Sequence, residues 1–227
     1  LCGRALHSLG LYGLGGHISL RVPNSDRILI TPGGGLDKSR LRPSDLVVID
    51  AEGKRMDGRY PPPLETPIHT AVHAARPELD SVAHLHPHWA TVFSVLDMPL
   101  PIVLLPARCL GGPLPTFDEP QLVTTVELGQ RLNAALGNAA GVLMRWHGTT
   151  IVGNTLEEMF QRATALEENA RVFWEASAIG RPLPVPNLAE TRGAADPSES
   201  ARRTLLYYAN LERDVDDQLH SGAAFES

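Results

Sequence analysis

Three histidines of this 227-residue chain stand where one metal ion could be held. His84 and His86 lie in SVAHLHPHWATVFSVL, which opens as an apolar strand. Alternate strand residues share a face, so imidazoles at i and i+2 point the same way and can serve one ion. The third, His147, closes another apolar stretch, GVLMRWHG. Three neutral nitrogen ligands with one position left open suit a catalytic rather than a structural divalent site. A carboxylate able to move a proton stands at Glu65, in PPPLET just before a helix. Its competing reading is a carboxylate that complements the helix dipole.

Other residues with chemical potential sit near these. His69 and His73 are four apart in PIHTAVHAARP and share a helix face, but no glutamate follows the first histidine as in a hydrolytic HExxH motif. They are therefore expected to pack or hydrogen-bond. In HISLRV, His17, Ser19 and Arg21 fall on one face of a strand. The loop TPGGGL holds Gly33 and Gly34, where backbone amides could approach an anion, although neither a P-loop nor a dinucleotide fingerprint is present. Arg108 opens a loop dense in glycine and proline. In VLMRWHG read as a strand, Leu143, Arg145 and His147 share a face, so Arg145 either points at the third histidine's site or forms a structural ion pair.

The elements that must position these residues follow from periodicity and punctuation. HISLRV and RILIT read as a hairpin, and LVVID with the polar stretch after AEGK as another. A helix starts at Glu65 or Thr66 with Pro67 in its first turn. A short helix follows Pro87, and MPLPIVLLP reads as an apolar strand broken by prolines. LVTTVELGQRLNAALG is an amphipathic helix ending at Gly137. TLEEMFQRATALEENARVFWEASAIG is a long helix with a capping signature at Thr155 and Glu158. Residues from about 182 to 200 form a proline-rich excursion, and ARRTLLYYANLERDVDDQL a last helix acting as lid or interface element. The expected architecture is one α/β domain over residues 1–227, with a central, mostly antiparallel sheet and helices on both faces.

Composition excludes several classes. The formal net charge is -6 with no long run of either sign, so no nucleic-acid or membrane-surface partner is expected. No apolar run approaches the roughly 20 residues of a bilayer span, and no signal-peptide pattern opens the chain. Cys2 and Cys109, the only cysteines, form neither a disulfide framework nor a thiolate cluster. A cytoplasmic protein is expected, with room for residues before Leu1.

The order of motifs resembles the class II aldolase/adducin family. GHISLR, ILITPGG, DLVVID, PPLET-x-x-H, AHLHPH and WHGTTIVG-x-TLEEM run in the family's order over about residues 4 to 180. The resemblance implies that His84, His86 and His147 bind the metal and that Glu65 is the acid/base. Adducin-like members without the ligands are non-catalytic assembly domains; this chain keeps all three histidines, which implies an enzyme. Where sugar-phosphate aldolases and epimerases hold phosphate with an Asn, a Ser-Gly and a Ser-Ser, this chain has His17, Gly33-Gly34 and Pro63-Leu64. Each lost hydrogen bond to a charged group is worth about 1.5–3 kcal/mol, so weak phosphate binding is expected.

The G-H-x-S-x-R form, the HxHP pair and an arginine two before the third histidine are similar to a decarboxylase branch. Its members act on hydroxylated aromatic or pyridine dicarboxylates such as 3,4-dihydroxyphthalate. The likeness implies a metal-dependent, non-oxidative carboxy-lyase. Glu65 would move the proton, and His17 would be a second donor or a carboxylate anchor. Ser19, Arg21, Gly33, Gly34, Arg108 and Arg145 would bind substrate, the arginines by gripping carboxylates. The metal would be Mn, Mg, Zn or Co; three histidines favour zinc or another transition metal by ligand type, the decarboxylase likeness manganese or magnesium. The alternatives are an aldolase or epimerase working through a metal-bound enediolate, and an assembly domain. The family also implies a homotetramer with sites at subunit interfaces, which Tyr207 or Tyr208 would reach from a neighbour.

Overall fold

Short apolar stretches bounded by glycine, proline and Asn-Ser-Asp turns build the sheet, and longer helical stripes cover it. The computed structural model describes residues 1–186 and 196–222. In chain order these hold α1 (Cys2–Ser8), β1 (His17–Arg21), β2 (Ile28–Ile30), β3 (Val47–Ile49), β4 (Arg55–Asp57) and α2 (Thr66–Ala75). Then come β5 (Ser81–Leu85), α3 (His88–Ser94), β6 (Thr116–Phe117), α4 (Val126–Leu136), β7 (Gly141–Met144), β8 (Gly148–Gly153), α5 (Leu156–Ile179) and α6 (Pro197–Gly222). The eight strands form one sheet in the order β4-β3-β2-β1-β5-β8-β7-β6. Every pairing is antiparallel except the short β6–β7 ladder.

The register of the central strands decides which residues meet. His17 lies opposite His84, Ser19 opposite Val82, and His84 also opposite Thr150 across β8. Opposed residues share a face, so His17, Ser19, Val82 and His84 look to one side, and Ile18, Ala83 and Ile151 to the other. The second side carries a core with α1, α3 and α5. The first carries a core in which Ile68 and Val72 of α2 pack with Leu128, Leu132 and Leu136 of α4 and with Val82 and Val152. Burying such side chains is worth about 1.5–3 kcal/mol each. Strands buried on both faces carry near-continuous apolar runs, which is why their alternation is muted in the sequence.

Several expectations need correction. Met98–Pro106 is not a strand. Its segment is tied instead to α5 by Asn169, whose amide oxygen accepts from the Val103 and Leu104 amides and whose nitrogen donates to the Pro101 carbonyl. α4 begins at Val126 rather than Leu122, because the Thr125 hydroxyl caps it by accepting from the Leu128 amide. β7 stops at Met144, and Arg145 to His147 form a turn whose middle residue, Trp146, adopts φ 60°. The last helix starts earlier than expected, at Pro197, while residues 187–195 of the proline-rich excursion lie outside the described residues. Thr155 caps α5 as the sequence predicts, accepting from the Glu158 amide. Among the described residues no helix is long and apolar enough to cross a membrane.

Candidate metal and catalytic centre

The centre forms where the ends of β5 and β8 meet the start of α2. His84 is fully buried near the end of β5, and His86 follows two residues later. Pro87 then stops the strand, and α3 starts at once with its Trp89 and Ala90 amides donating to the Glu167 carboxylate, both at 2.9 Å. That anchor from α5 fixes the turn that carries His86. His147 arrives in the turn between β7 and β8. Two glycines make room for the His86 ring: a Cβ on Gly15 would stand 2.5 Å from its Cε1, and one on Gly148 would stand 2.6 Å from its Cδ2. The three rings pack with centroids 4.7 to 5.1 Å apart.

Glu65 occupies the N-cap position of α2 but makes no side-chain cap. Its carboxylate is turned to other partners. One carboxylate oxygen accepts from the Val123 amide at 2.9 Å. The other, Oε2, sits 3.5 Å from His84 Nε2, 3.7 Å from His147 Nε2 and 3.9 Å from His17 Nε2. Burial works to raise this carboxyl's pKa. Hydrogen bonding from His17 and the Val123 amide, with the fields of His147 and His17, outweighs burial and holds it below the ordinary value. Glu65 is thus an ionised, buried carboxylate.

The donor set fits a divalent cation. Ligand atoms of His84, His86 and His147 lie within 4.8 Å of one another, as do those of His17, Glu65 and His84. His84 Nδ1 is 3.1 Å from the Thr149 carbonyl, an acceptor only, so the ring carries its proton there and turns a lone pair outward on Nε2. The Nε2 atoms of His84 and His86 are buried without a hydrogen-bond partner. Buried polar atoms are otherwise almost always satisfied, so two orphaned acceptors facing a common space call for a positive guest. Burial lowers the pKa of both rings, that of His84 most, so both are neutral and ready to ligate near neutral pH.

Over residues 1–174 the chain matches the family described as "Class II Aldolase and Adducin N-terminal domain". It belongs to that family. It is 33% identical over 184 residues to a 5-methylthioribulose-1-phosphate/5-deoxyribulose-1-phosphate aldolase of Rhodospirillum rubrum, covering 81% of each chain. It is 30% identical over 192 residues to a 3,4-dihydroxyphthalate decarboxylase of a Terrabacter species, covering 78% of this chain and 80% of that one. Among solved structures, an L-fuculose 1-phosphate aldolase superposes with a TM-score of 0.74 at 27% identity, over 82% of this chain and 87% of the other. These relatives are lyases, and this class II chain is a lyase whose histidine cluster suits the family's divalent cofactor.

The remaining sequence-predicted residues divide sharply. His17 joins the centre. Ser19 does not reach it: its hydroxyl lies 2.7 Å from His69 Nδ1 and 2.9 Å from His73 Nε2, beneath α2. Arg21 is drawn off to the far end of α2, where its guanidinium donates to the His73 carbonyl at 2.7 Å. Arg145 turns away with the 145–147 turn and pairs with Asp118 at 2.7 Å, the structural ion pair of its two readings. Arg108 rides on a 3-10 helix, Leu105–Leu110, that packs on α5, on the sheet face opposite Glu65. Gly33 packs on the 61–63 loop, spends its amide on the Pro61 carbonyl, and a Cβ there would meet the Pro62 carbonyl at 2.9 Å. Gly34 is needed for its left-handed backbone, φ 86°. Tyr208 packs on Phe160, while Tyr207 faces outward at 62% exposure.

Lys38 is the residue sequence reasoning missed. It is buried just after the glycine loop, donates to the Pro32 carbonyl at 3.1 Å and lies over the Tyr12 ring. Burial brings its ammonium down to about 8, and its charge is felt at His17. A lysine two residues past a glycine loop gives no signal in sequence, because such a residue is ordinarily solvent-facing.

Proposed function

We infer that this lyase removes carbon dioxide from a hydroxylated aromatic carboxylate of the 3,4-dihydroxyphthalate type, non-oxidatively, with a divalent metal. The observation that carries this reading is the poverty of phosphate donors around Glu65. The loop before it offers Pro63 and Leu64, the Gly33 amide is taken by Pro61, and His17 Nδ1 is taken by His69. A phosphate dianion would meet few hydrogen bonds there, whereas a flat carboxylate needs fewer. The 30% identity to a dihydroxyphthalate decarboxylase supports the same choice.

His84, His86 and His147 would hold the metal, which supplies a Lewis acid for electron density left on a substrate oxygen. The chain's own groups do the rest. Glu65, anchored by Val123 on one oxygen, presents Oε2 as the base that receives the ring hydroxyl's proton and returns it to carbon as carbon dioxide leaves. His17 Nε2 lies beside that oxygen and binds an anionic oxygen of the substrate. Lys38 adds positive field behind the glycine loop. Manganese or magnesium fits the decarboxylase likeness and zinc the ligand type. The assembly is read as a homotetramer in which Tyr207, the outward-facing tyrosine, meets a neighbour.

The test is carbon dioxide release from 3,4-dihydroxyphthalate by manganese-reconstituted protein, with His84→Ala as control. Release lost with His84 supports the reading. Bound metal without release, together with cleavage of a ketose phosphate, transfers the assignment to the aldolase alternative, which the 33% identity to a sugar-phosphate aldolase favours.

A further inference from the structure

A chain of hydrogen bonds runs from the centre into the protein beneath α2. His17 Nδ1 is 2.6 Å from His69 Nε2. His69 Nδ1 is 2.7 Å from Ser19 Oγ, and Ser19 Oγ is 2.9 Å from His73 Nε2. The four residues are buried, none above 3% exposed. Burial lowers the pKa of His69 and His73, so each is a neutral imidazole with one N–H and one lone pair, and the short contact of His17 Nδ1 with His69 Nε2 has one proton between its two nitrogens.

Counting protons leaves two arrangements. One proton lies between His17 and His69. Ser19 has one hydroxyl proton for two ring neighbours and no third partner among the described residues, so one ring accepts from it and the other donates to it. In the first arrangement His73 Nε2–H donates to Ser19, Ser19 donates to His69 Nδ1, and His69 Nε2–H donates to His17 Nδ1. His17 then carries its own proton on Nε2, facing Glu65. The second arrangement reverses every bond and turns a bare lone pair of His17 toward Glu65.

The open end favours the first, and it is the stronger of the two ends. At the open end, Oε2 of Glu65 stands 3.9 Å from His17 Nε2, and a carboxylate attracts an N–H and repels a lone pair. At the closed end His73 Nδ1 has no hydrogen-bond partner, and the Leu79 backbone near it pulls the other way, more weakly than the Glu65 carboxylate because a neutral carbonyl carries no net charge.

We propose that Ser19, His69 and His73 are positioning residues that lock His17 in the tautomer protonated on Nε2. Two consequences follow. A nitrogen that carries a proton cannot ligate, so His17, Glu65 and His84 do not form the ion's seat, although their ligand atoms lie as close as those of His84, His86 and His147. His17 is also a fixed hydrogen-bond donor, so it anchors a carboxylate or phenolate oxygen of the substrate instead of supplying a proton. The second consequence rests on the lyase reading above; the tautomer lock does not.

The test is a two-bond proton–nitrogen correlation spectrum of histidine-labelled, zinc-loaded protein, which reads each ring's tautomer without substrate or turnover. The expected wild-type spectrum has His17, His69 and His73 all protonated on Nε2. Ser19→Ala should leave His69 and His17 as mixed tautomers, and Ser19→Thr should restore one. In steady-state assays Ser19→Ala should raise KM for the carboxylate substrate about tenfold with kcat within twofold, a loss of about 1.4 kcal/mol in binding. His17 protonated on Nδ1 in the wild type, or tautomers unmoved in Ser19→Ala, would overturn the proposal. Correct tautomers in a protein inactive toward every aromatic acid would leave it standing and count only against the substrate assignment.

Discussion

Two sets of histidines lie side by side and differ in one respect. Of His84, His86 and His147, the first two each carry a buried Nε2 with no hydrogen-bond partner. In His17, His69 and His73 the nitrogens that face one another are joined through short hydrogen bonds and one serine. Either spacing, i,i+2 on a strand or i,i+4 on a helix, would let two rings chelate an ion. What separates the two sets is that unpartnered nitrogens of His84 and His86 belong to one cluster of ligand atoms, whereas the one unpartnered nitrogen of the second set, His73 Nδ1, stands alone at the closed end of its chain.

The largest effect expected on this contrast comes from removing a ligand. His84→Ala should cut metal affinity by more than about 100-fold, since even partners of ligands are worth 10–100-fold, and abolish turnover. Metal content after gel filtration checks it. Glu65→Gln should retain the metal and lose turnover by about 10²–10⁴, the range of a general acid–base group. Full activity in that variant would remove Glu65 from the chemistry.

The interlocked set should answer to pH through stability. His73 is pushed down to about 4 by burial and by the Arg21 charge, whereas an unfolded histidine titrates near about 6.5. The unfolded chain therefore takes the proton first. Stability should be flat above about pH 6.5 and fall below it, by on the order of 2 kcal/mol at pH 5 from this residue. Urea unfolding of wild type and His73→Gln at the two pH values would show the difference shrinking in the variant. A smaller change tests the space around the first set. Gly15→Ala places a methyl against the His86 ring and should weaken metal binding about tenfold, roughly 1.4 kcal/mol, with the ligands intact. Smallest of all, Arg145→Met should leave KM unaltered and cost about 0.2–1 kcal/mol of stability, the worth of a partly exposed ion pair with Asp118.

Much of the centre was legible because its signals are local. The HxH on a buried strand, the carboxylate before a helix and the glycines flanking tight turns carry their geometry in their spacing. Arg145 kept two readings, site residue or structural ion pair, because strand alternation was carried three residues too far; the turn decides for the ion pair. Trp146 enters the left-handed region at φ 60°, the turn rotates, and Arg145 goes to Asp118 while His147 comes in. No bulky residue advertises that conformation in sequence. Ser19 and Arg21 were placed on the correct face of β1, but that face is roofed by α2, and only the tertiary structure shows that His69, His73 and carbonyls at the end of that helix claim both side chains first. Lys38 was invisible for the same reason: a buried ammonium is a property of what folds over it.

The two strands that bring His84 and His147 together, β5 and β8, are neighbours near the middle of the sheet yet far apart along the chain. A growing polypeptide can pair β1 with β2 and with β5 long before His147 exists, but the seam between β5 and β8 closes only when the later segment has been made. Such distant pairings are the slow ones in folding. Metal affinity would therefore report on sheet closure. Before that seam closes the chain offers a cation only the His84–His86 pair, and the three-histidine cluster is completed by the distant pairing.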